Sequence, residues 1–102
     1  MELLPDDLRA RLPPINAIDD EDEPFVFIHY TLSGTGQDWY VMAGEPQKDD
    51  FVFWGFVRHE SRFACFRLSE LEVTAGPSGQ TVVRDEDFTE GGLSEVVPAP
   101  DL

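Results

Sequence analysis

The sequence is poor in the residues that carry most protein chemistry: it has one cysteine, two histidines and seven lysines and arginines among 102 residues. A single cysteine, Cys65, forms no internal disulfide, which is typical of proteins in a reducing compartment and predicts a cytoplasmic location. Seven basic residues against 21 acidic ones give a net charge of −14, which repels nucleic-acid phosphates and anionic lipid headgroups. The composition therefore argues against direct binding of nucleic acid or of a membrane.

Long apolar runs are also missing. No stretch approaches the roughly 18 residues of a membrane span, and residues 1–7 lack the basic and apolar regions of a signal peptide. The apolar fraction of 41%, which includes eight phenylalanines, is nevertheless sufficient for a hydrophobic core. We therefore expect a single folded domain over residues 1–102.

The pattern along the chain predicts an α+β fold. Residues 1–14 contain a short helical signal with Pro5 near its start, and two prolines end it. Ser69 suits the N-cap of a second short helix. Aromatic and β-branched residues predict antiparallel strands at 25–32, 37–43, 51–58 and 62–68 and a short edge strand at 81–84. The fold class is thus an antiparallel sheet of about four to five strands with one or two short flanking helices, and residues 90–102 are predicted to be a flexible tail.

Several segments occur in an order that resembles a bacterial family. They are a Trp-Tyr-Val strand at 39–41, an aromatic strand at 53–57 that contains Gly55, a Phe-Arg-Leu-Ser-Glu-Leu-Glu segment at 66–72, a Gly-Pro-Ser-Gly loop at 76–79, and Arg84 with Asp85. In these features the chain resembles an uncharacterised family of short domains of unknown function that are common on plasmids, phages and integrating elements. The resemblance implies a mobile-element setting, with no known activity and no catalytic residues.

The candidates for enzymatic chemistry are few. Cys65 with His29 or His59 is the one conceivable nucleophile–base pair. Cys65 stands between Ala64 and Phe66 in a predicted strand, so we expect a buried and unreactive thiol. His29 lies in mid-strand, where a packed or hydrogen-bonded role is expected rather than that of a metal ligand. The chain has too few cysteines and histidines for a structural zinc site, and we expect no catalytic residue, no cofactor and no metal.

Two further features have a structural and a functional interpretation. Trp39, Tyr40 and Trp54 could form a stacking platform for sugars or bases, but aromatic residues on a small sheet usually form its core. An acidic run at 19–23 could attract calcium, yet it lacks the glycine and the alternating acids of a calcium-binding loop. We expect core packing for the first and a solvated loop for the second.

The grouping of the acidic residues is the main functional signal. Either the acids keep an accessory or regulatory protein-binding domain soluble, or rows of carboxylates imitate a phosphate backbone and occupy the basic groove of a nucleic-acid-binding protein. We favour the second hypothesis, which predicts a small acidic non-enzymatic inhibitor from a mobile element, of the anti-restriction or anti-CRISPR type; a small enzyme is the third alternative. The partner-binding candidates are Asp19, Asp20, Glu21, Asp22, Glu23, Asp49, Asp50, Asp85, Glu86 and Asp87.

Overall fold

The structure, a computed structural model, describes residues 3–15, 25–32 and 34–93. Its helices are α1 (Asp6–Arg11) and α2 (Leu68–Val73), with one turn of 3-10 helix at Arg58–Glu60. Its strands are β1 (Phe25–Val26), β2 (Ile28–Leu32), β3 (Gln37–Gln47), β4 (Asp50–Val57), β5 (Arg62–Arg67), β6 (Val82–Arg84) and β7 (Gly91–Gly92). No helix within these ranges is long and apolar enough to cross a membrane.

Five strands form one antiparallel sheet in the order β5-β4-β3-β2-β6, and β1 pairs with β7 in a separate two-stranded sheet. This confirms the predicted α+β class. β3 and β4 form a long hairpin inside the main sheet, as the apolar sequence of β4 on both of its faces indicates. Gly55 allows the two strands to approach, because a Cβ at this position would lie 2.0 Å from the backbone oxygen of Tyr40.

Three predictions about the limits of elements are wrong. The strand predicted at 37–43 continues to Gln47 as β3. The segment 25–32 is not one strand: Val26 packs in a different apolar cluster from Ile28, so the chain changes face at Phe27. Ser69 is not the N-cap of α2, which begins one residue earlier, at Leu68. The backbone N–H of Ser69 donates instead to the carboxylate of Asp50, which supplies a cap from the neighbouring β4.

Each face of the main sheet carries an apolar cluster. The main cluster packs beneath the leucines of α1 and α2 and includes Tyr30 and Phe53, which are both fully buried. The second cluster consists of the buried Val26, Tyr40 and Met42, with the partly buried Trp54, Phe56, Phe88 and Leu93 packed around them. Trp39 lies in the main cluster and Tyr40 in the second, so these two aromatics belong to the core on opposite faces and not to one platform.

Candidate functional site

The acidic turn at residues 85–87 follows β6 directly. The backbone N–H of Asp85 donates to the carbonyl oxygen of His29 over 2.9 Å, which extends the pairing of β6 with β2 by one residue. One carboxylate oxygen of Asp85 accepts a hydrogen bond from the backbone N–H of Asp87 at 3.1 Å and closes the turn. Glu86 and Asp87 are exposed. The fold therefore presents two carboxylates on a turn that Asp85 holds in place.

His29 links this turn to the sheet. Its Nδ1 lies 3.0 Å from a carboxylate oxygen of Asp85, and its Nε2 lies 2.8 Å from one of Asp38. The side chains of His29 and Asp38 are each 14% exposed, so water screens the second contact poorly. Both contacts are hydrogen bonds at the same time only when both ring nitrogens carry a proton. The site is thus an imidazole held between two carboxylates, which we call the histidine clamp (Asp38, His29 and Asp85).

Aromatic rings and an arginine surround the histidine clamp. The ring of Tyr40 stacks on that of His29 with centroids 4.6 Å apart and an angle of 6° between the rings, and Phe88 lies 5.9 Å away. Arg58 Nη1 is 3.6 Å from the second oxygen of Asp38. Burial raises the pKa of Tyr40, and the negative charge of Asp38 raises it further. Asp38 therefore lies between His29 and Arg58, and Asp85 lies on the other side of the His29 ring.

This arrangement limits the chemistry of His29. Its two carboxylate partners bind opposite sides of the ring, so they do not converge on a common point where a cation could sit. In the part of the chain that the structure describes, no group of three histidine, cysteine or acidic side chains is arranged to hold a metal ion. Both ring nitrogens of His29 face carboxylates of its own chain, so His29 organises this part of the surface.

Asp49 lies in the turn between β3 and β4, and Asp50 is the first residue of β4. Asp50 accepts hydrogen bonds from the backbone N–H of Phe51 (2.8 Å) and of Ser69 (3.2 Å), and from the hydroxyl of Ser69 (2.5 Å). The hydroxyl of Ser69, followed by the amide of Phe51, holds the pKa of Asp50 below its ordinary value. Asp50 therefore connects the hairpin to α2, whereas Asp49 is exposed.

The structure does not bring the two described acidic groups together. The turn 85–87 lies beside His29, which pairs with Tyr40, whereas Asp50 pairs with Gln47 at the far end of β3. The stretch of β3 from Tyr40 to Gln47 spans about 23 Å at roughly 3.3 Å per residue. The remaining partner-binding candidates, at positions 19–23, lie outside the described residues.

The expectation of a buried Cys65 is wrong. β5 is an edge strand. Cys65 lies opposite Trp54 on the face of the sheet that carries the second apolar cluster, which we call the outer face, and its side chain is exposed. His29 is on β2, three strands away, or about 14 Å at the usual strand spacing. His59 accepts a hydrogen bond from the backbone N–H of Asp38 at 3.3 Å. The fold thus does not bring Cys65 and His29 together as a nucleophile and base.

Sequence reasoning identified two of the three members of the histidine clamp, and it treated them separately. It expected a packed or hydrogen-bonded His29 and a partner-binding Asp85, and it did not single out Asp38. The hairpin between β2 and β3 carries the missing signal, because its register places Tyr40 opposite His29 and Asp38 opposite Thr31. Asp38 is then a diagonal neighbour of His29, within reach of its side chain.

Comparisons of the chain with protein-family models, with curated proteins and with solved structures found no match. The resemblance to a bacterial family of mobile elements therefore stays a prediction. Function is inferred from the geometry and charge of the site itself.

Proposed function

We propose that the protein is a small non-enzymatic interaction protein that binds a basic protein surface through the turn at residues 85–87. The observation that supports this proposal is the fixed geometry of that turn: Asp85 bonds to His29 while Glu86 and Asp87 face solvent. A turn that is already ordered loses little conformational entropy on binding. It can therefore offer its carboxylates to arginines and lysines of a partner at low cost.

The distribution of charge supports an external basic partner. Arginines of the chain are engaged internally, in ion pairs of Arg11 with Glu90, Arg58 with Asp38, Arg62 with Glu60 and Arg84 with Glu86. The last of these pairs is 3.9 Å long and Glu86 is 63% exposed, so it is weak and leaves the carboxylate accessible. The chain keeps a net charge of −14, which accelerates encounter with a basic protein.

The more specific form of the proposal is mimicry of DNA. In this form the chain occupies the basic groove of a nucleic-acid-binding defence protein and acts as an inhibitor from a mobile element. The charge and the grouping of the acids support it, together with the family resemblance. It requires a row of carboxylates that continues from the turn 85–87 to the acids at 19–23, with spacings of about 6–7 Å, close to those of phosphates. We infer a cytoplasmic setting from the free thiol of Cys65.

A second candidate function is an accessory or regulatory domain that binds protein without mimicry. The role of Asp50 favours it, because this carboxylate caps α2 and lies at the far end of β3 from residues 85–87. In this case the turn 85–87 is sufficient for binding. DNA then does not compete for the partner.

Binding to a panel of immobilised basic proteins, including DNA-cleaving nucleases, tests the proposal. We expect Glu86→Gln combined with Asp87→Asn to weaken the best binding about ten-fold, since two charge-assisted contacts are lost. The control, Asp49→Asn combined with Glu72→Gln, removes the same charge at other exposed positions. Competition by duplex DNA separates mimicry from the accessory function. If both double variants weaken binding equally, the turn has no special role and the proposal fails.

A further inference from the structure

Strand β5 has an open edge. It pairs with β4 on one side, and none of the described strands pairs with its other side. Such an edge presents backbone N–H and C=O groups to which an extended chain can bind. β6, at the opposite edge, has only three residues, whereas β5 has six. β5 is therefore long enough to accept another strand.

An aromatic surface lies beside this edge on the outer face of the sheet. Phe63 is 44% exposed, and it stacks on Trp54 with ring centroids 6.1 Å apart. Phe56 meets Phe63 edge-on at 5.2 Å. Trp54 and Phe56 border the second apolar cluster and are only partly buried by it. Aromatic rings that are half open to solvent beside a free backbone edge are typical of a contact surface for an extended chain.

Positive charge borders this surface in an otherwise acidic protein. Residues 58–67 contain three arginines and one glutamate, a local charge of +2, whereas the whole chain carries −14. Arg62 and Arg67 stand at the two ends of β5, and both are exposed. Arg62 also contacts Glu60 at 2.9 Å, but this pair is exposed on both sides, so it is weak and leaves the guanidinium accessible to a partner. If two copies paired antiparallel through β5, with the pairing centred on the strand, Arg62 of one copy would lie opposite Arg67 of the other. Like charges directly opposite each other disfavour this self-pairing, and a partner segment with acidic side chains at these two positions fits the edge better.

We propose that the open edge of β5 binds an extended, acidic segment of a partner protein as a sixth strand of the main sheet. Backbone hydrogen bonds hold the added strand, and its apolar side chains cover Phe63 and Cys65. Its carboxylates pair with Arg62 and Arg67. This surface is separate from the turn 85–87, because the two lie near opposite edges of the sheet, four strand spacings or about 19 Å apart. The proposal does not depend on the binding of a basic protein.

Two synthetic peptides test the proposal by NMR. The first alternates glutamate with valine and phenylalanine, and the second carries lysine in place of each glutamate. We expect the glutamate peptide to shift the amide signals of β5 and to slow their hydrogen exchange, and the lysine peptide to bind about ten-fold more weakly. Equal binding of the two peptides overturns the proposal, as does the absence of any change at the β5 amides with both.

Matched variants locate the binding. Arg62→Glu combined with Arg67→Glu is expected to weaken binding of the glutamate peptide at least about ten-fold and to strengthen binding of the lysine peptide. Phe63→Ser is expected to weaken binding of both peptides. Phe25→Ser, at an exposed phenylalanine of β1, is expected to leave the binding of both unchanged. Sedimentation shows whether the edge pairs with a second copy. A dimer of the parent protein that Phe63→Ser dissociates assigns the edge to self-pairing and overturns the proposal.

Discussion

At the scale of single residues, His29 organises the outer face of the sheet. Asp38 and Asp85 approach its ring from two sides, and Tyr40 covers the ring from above. A half-buried carboxylate is costly unless it has a partner, and His29 is the partner that these two carboxylates share. Removing the imidazole therefore leaves two negative groups that face each other across a gap, with Arg58 close to one of them.

We expect His29→Leu to lower the free energy of unfolding by about 1–3 kcal/mol, because Asp38 and Asp85 lose their hydrogen bonds. Urea unfolding at neutral pH measures the change. His59→Ala is the control, since His59 bonds to one backbone amide at 3.3 Å and packs edge-on against Trp39 but does not link two carboxylates. We expect this substitution to change stability by less than about 1 kcal/mol. A loss at His29 no larger than that at His59 contradicts the structural role of the histidine clamp.

Gly55 and Cys65 show which features of a single residue can be predicted from the sequence and which cannot. A glycine inside a strand, such as Gly55, indicates a bulge or a close approach, and the backbone of Tyr40 does lie too close for any side chain there. Cys65 was predicted to be buried because its neighbours Ala64 and Phe66 are apolar. Burial of a strand residue depends on what covers its face, and the outer face of β5 is covered little. The sequence indicated that the short strand β6 lies at one edge of the sheet, but not that β5 forms the other edge.

At the scale of elements, α2 depends on a residue from outside itself. A helix leaves the first N–H groups of its backbone without partners, and here Asp50 of β4 accepts the N–H and the hydroxyl of Ser69. Glu70 adds a local contact by accepting the backbone N–H of Arg67 at 3.1 Å. The hairpin β3–β4 and α2 are thereby joined at one carboxylate.

This connection predicts a pH dependence. The folded state lowers the pKa of Asp50, so its carboxylate contributes stability above about pH 4 that is lost as the pH falls below that value. Urea unfolding at neutral pH and at about pH 3 measures the loss. We expect Asp50→Asn to reduce the difference between the two pH values, and Asp49→Asn, at the exposed neighbour, to leave it almost unchanged. An equal effect of the two substitutions contradicts the role of Asp50 as a cap.

The elements themselves were largely predictable, and their partners were not. Aromatic and β-branched residues, with polar turns between them, indicate the strands from β2 to β5 and the short strand β6. The break between β1 and β2 at Phe27 was not predicted, because it depends on which apolar cluster the residues before and after Phe27 pack against. The cap of α2 was misassigned to Ser69 for a related reason: Asp50 is 19 residues away in sequence. Contacts between distant segments decide both.

At the scale of the whole molecule, charge opposes compactness. The chain carries a net charge of −14, and its described residues belong to a fold with a radius of gyration of 13.1 Å. Two like charges 20 Å apart repel by about 0.2 kcal/mol in water, and a chain with this excess contains many such pairs. The internal ion pairs offset only part of this repulsion, since surface pairs contribute about 0–1 kcal/mol each. The unfolded chain is larger, so it suffers less repulsion than the folded one.

We therefore expect salt to stabilise the fold. Raising sodium chloride from about 10 mM to about 150 mM shortens the screening length from about 30 Å to about 8 Å, which weakens repulsion between distant charges more than attraction within contacting pairs. The melting temperature, followed by circular dichroism, should rise over this range, by several degrees if about 1 kcal/mol is gained. Asp49→Asn combined with Glu72→Gln removes two negative charges that belong to no ion pair among the described residues. This variant should therefore have a higher melting temperature at low salt and gain less from added salt. A melting temperature that falls with salt would show that local ion pairs outweigh the repulsion, and the excess of acids would then cost the fold nothing.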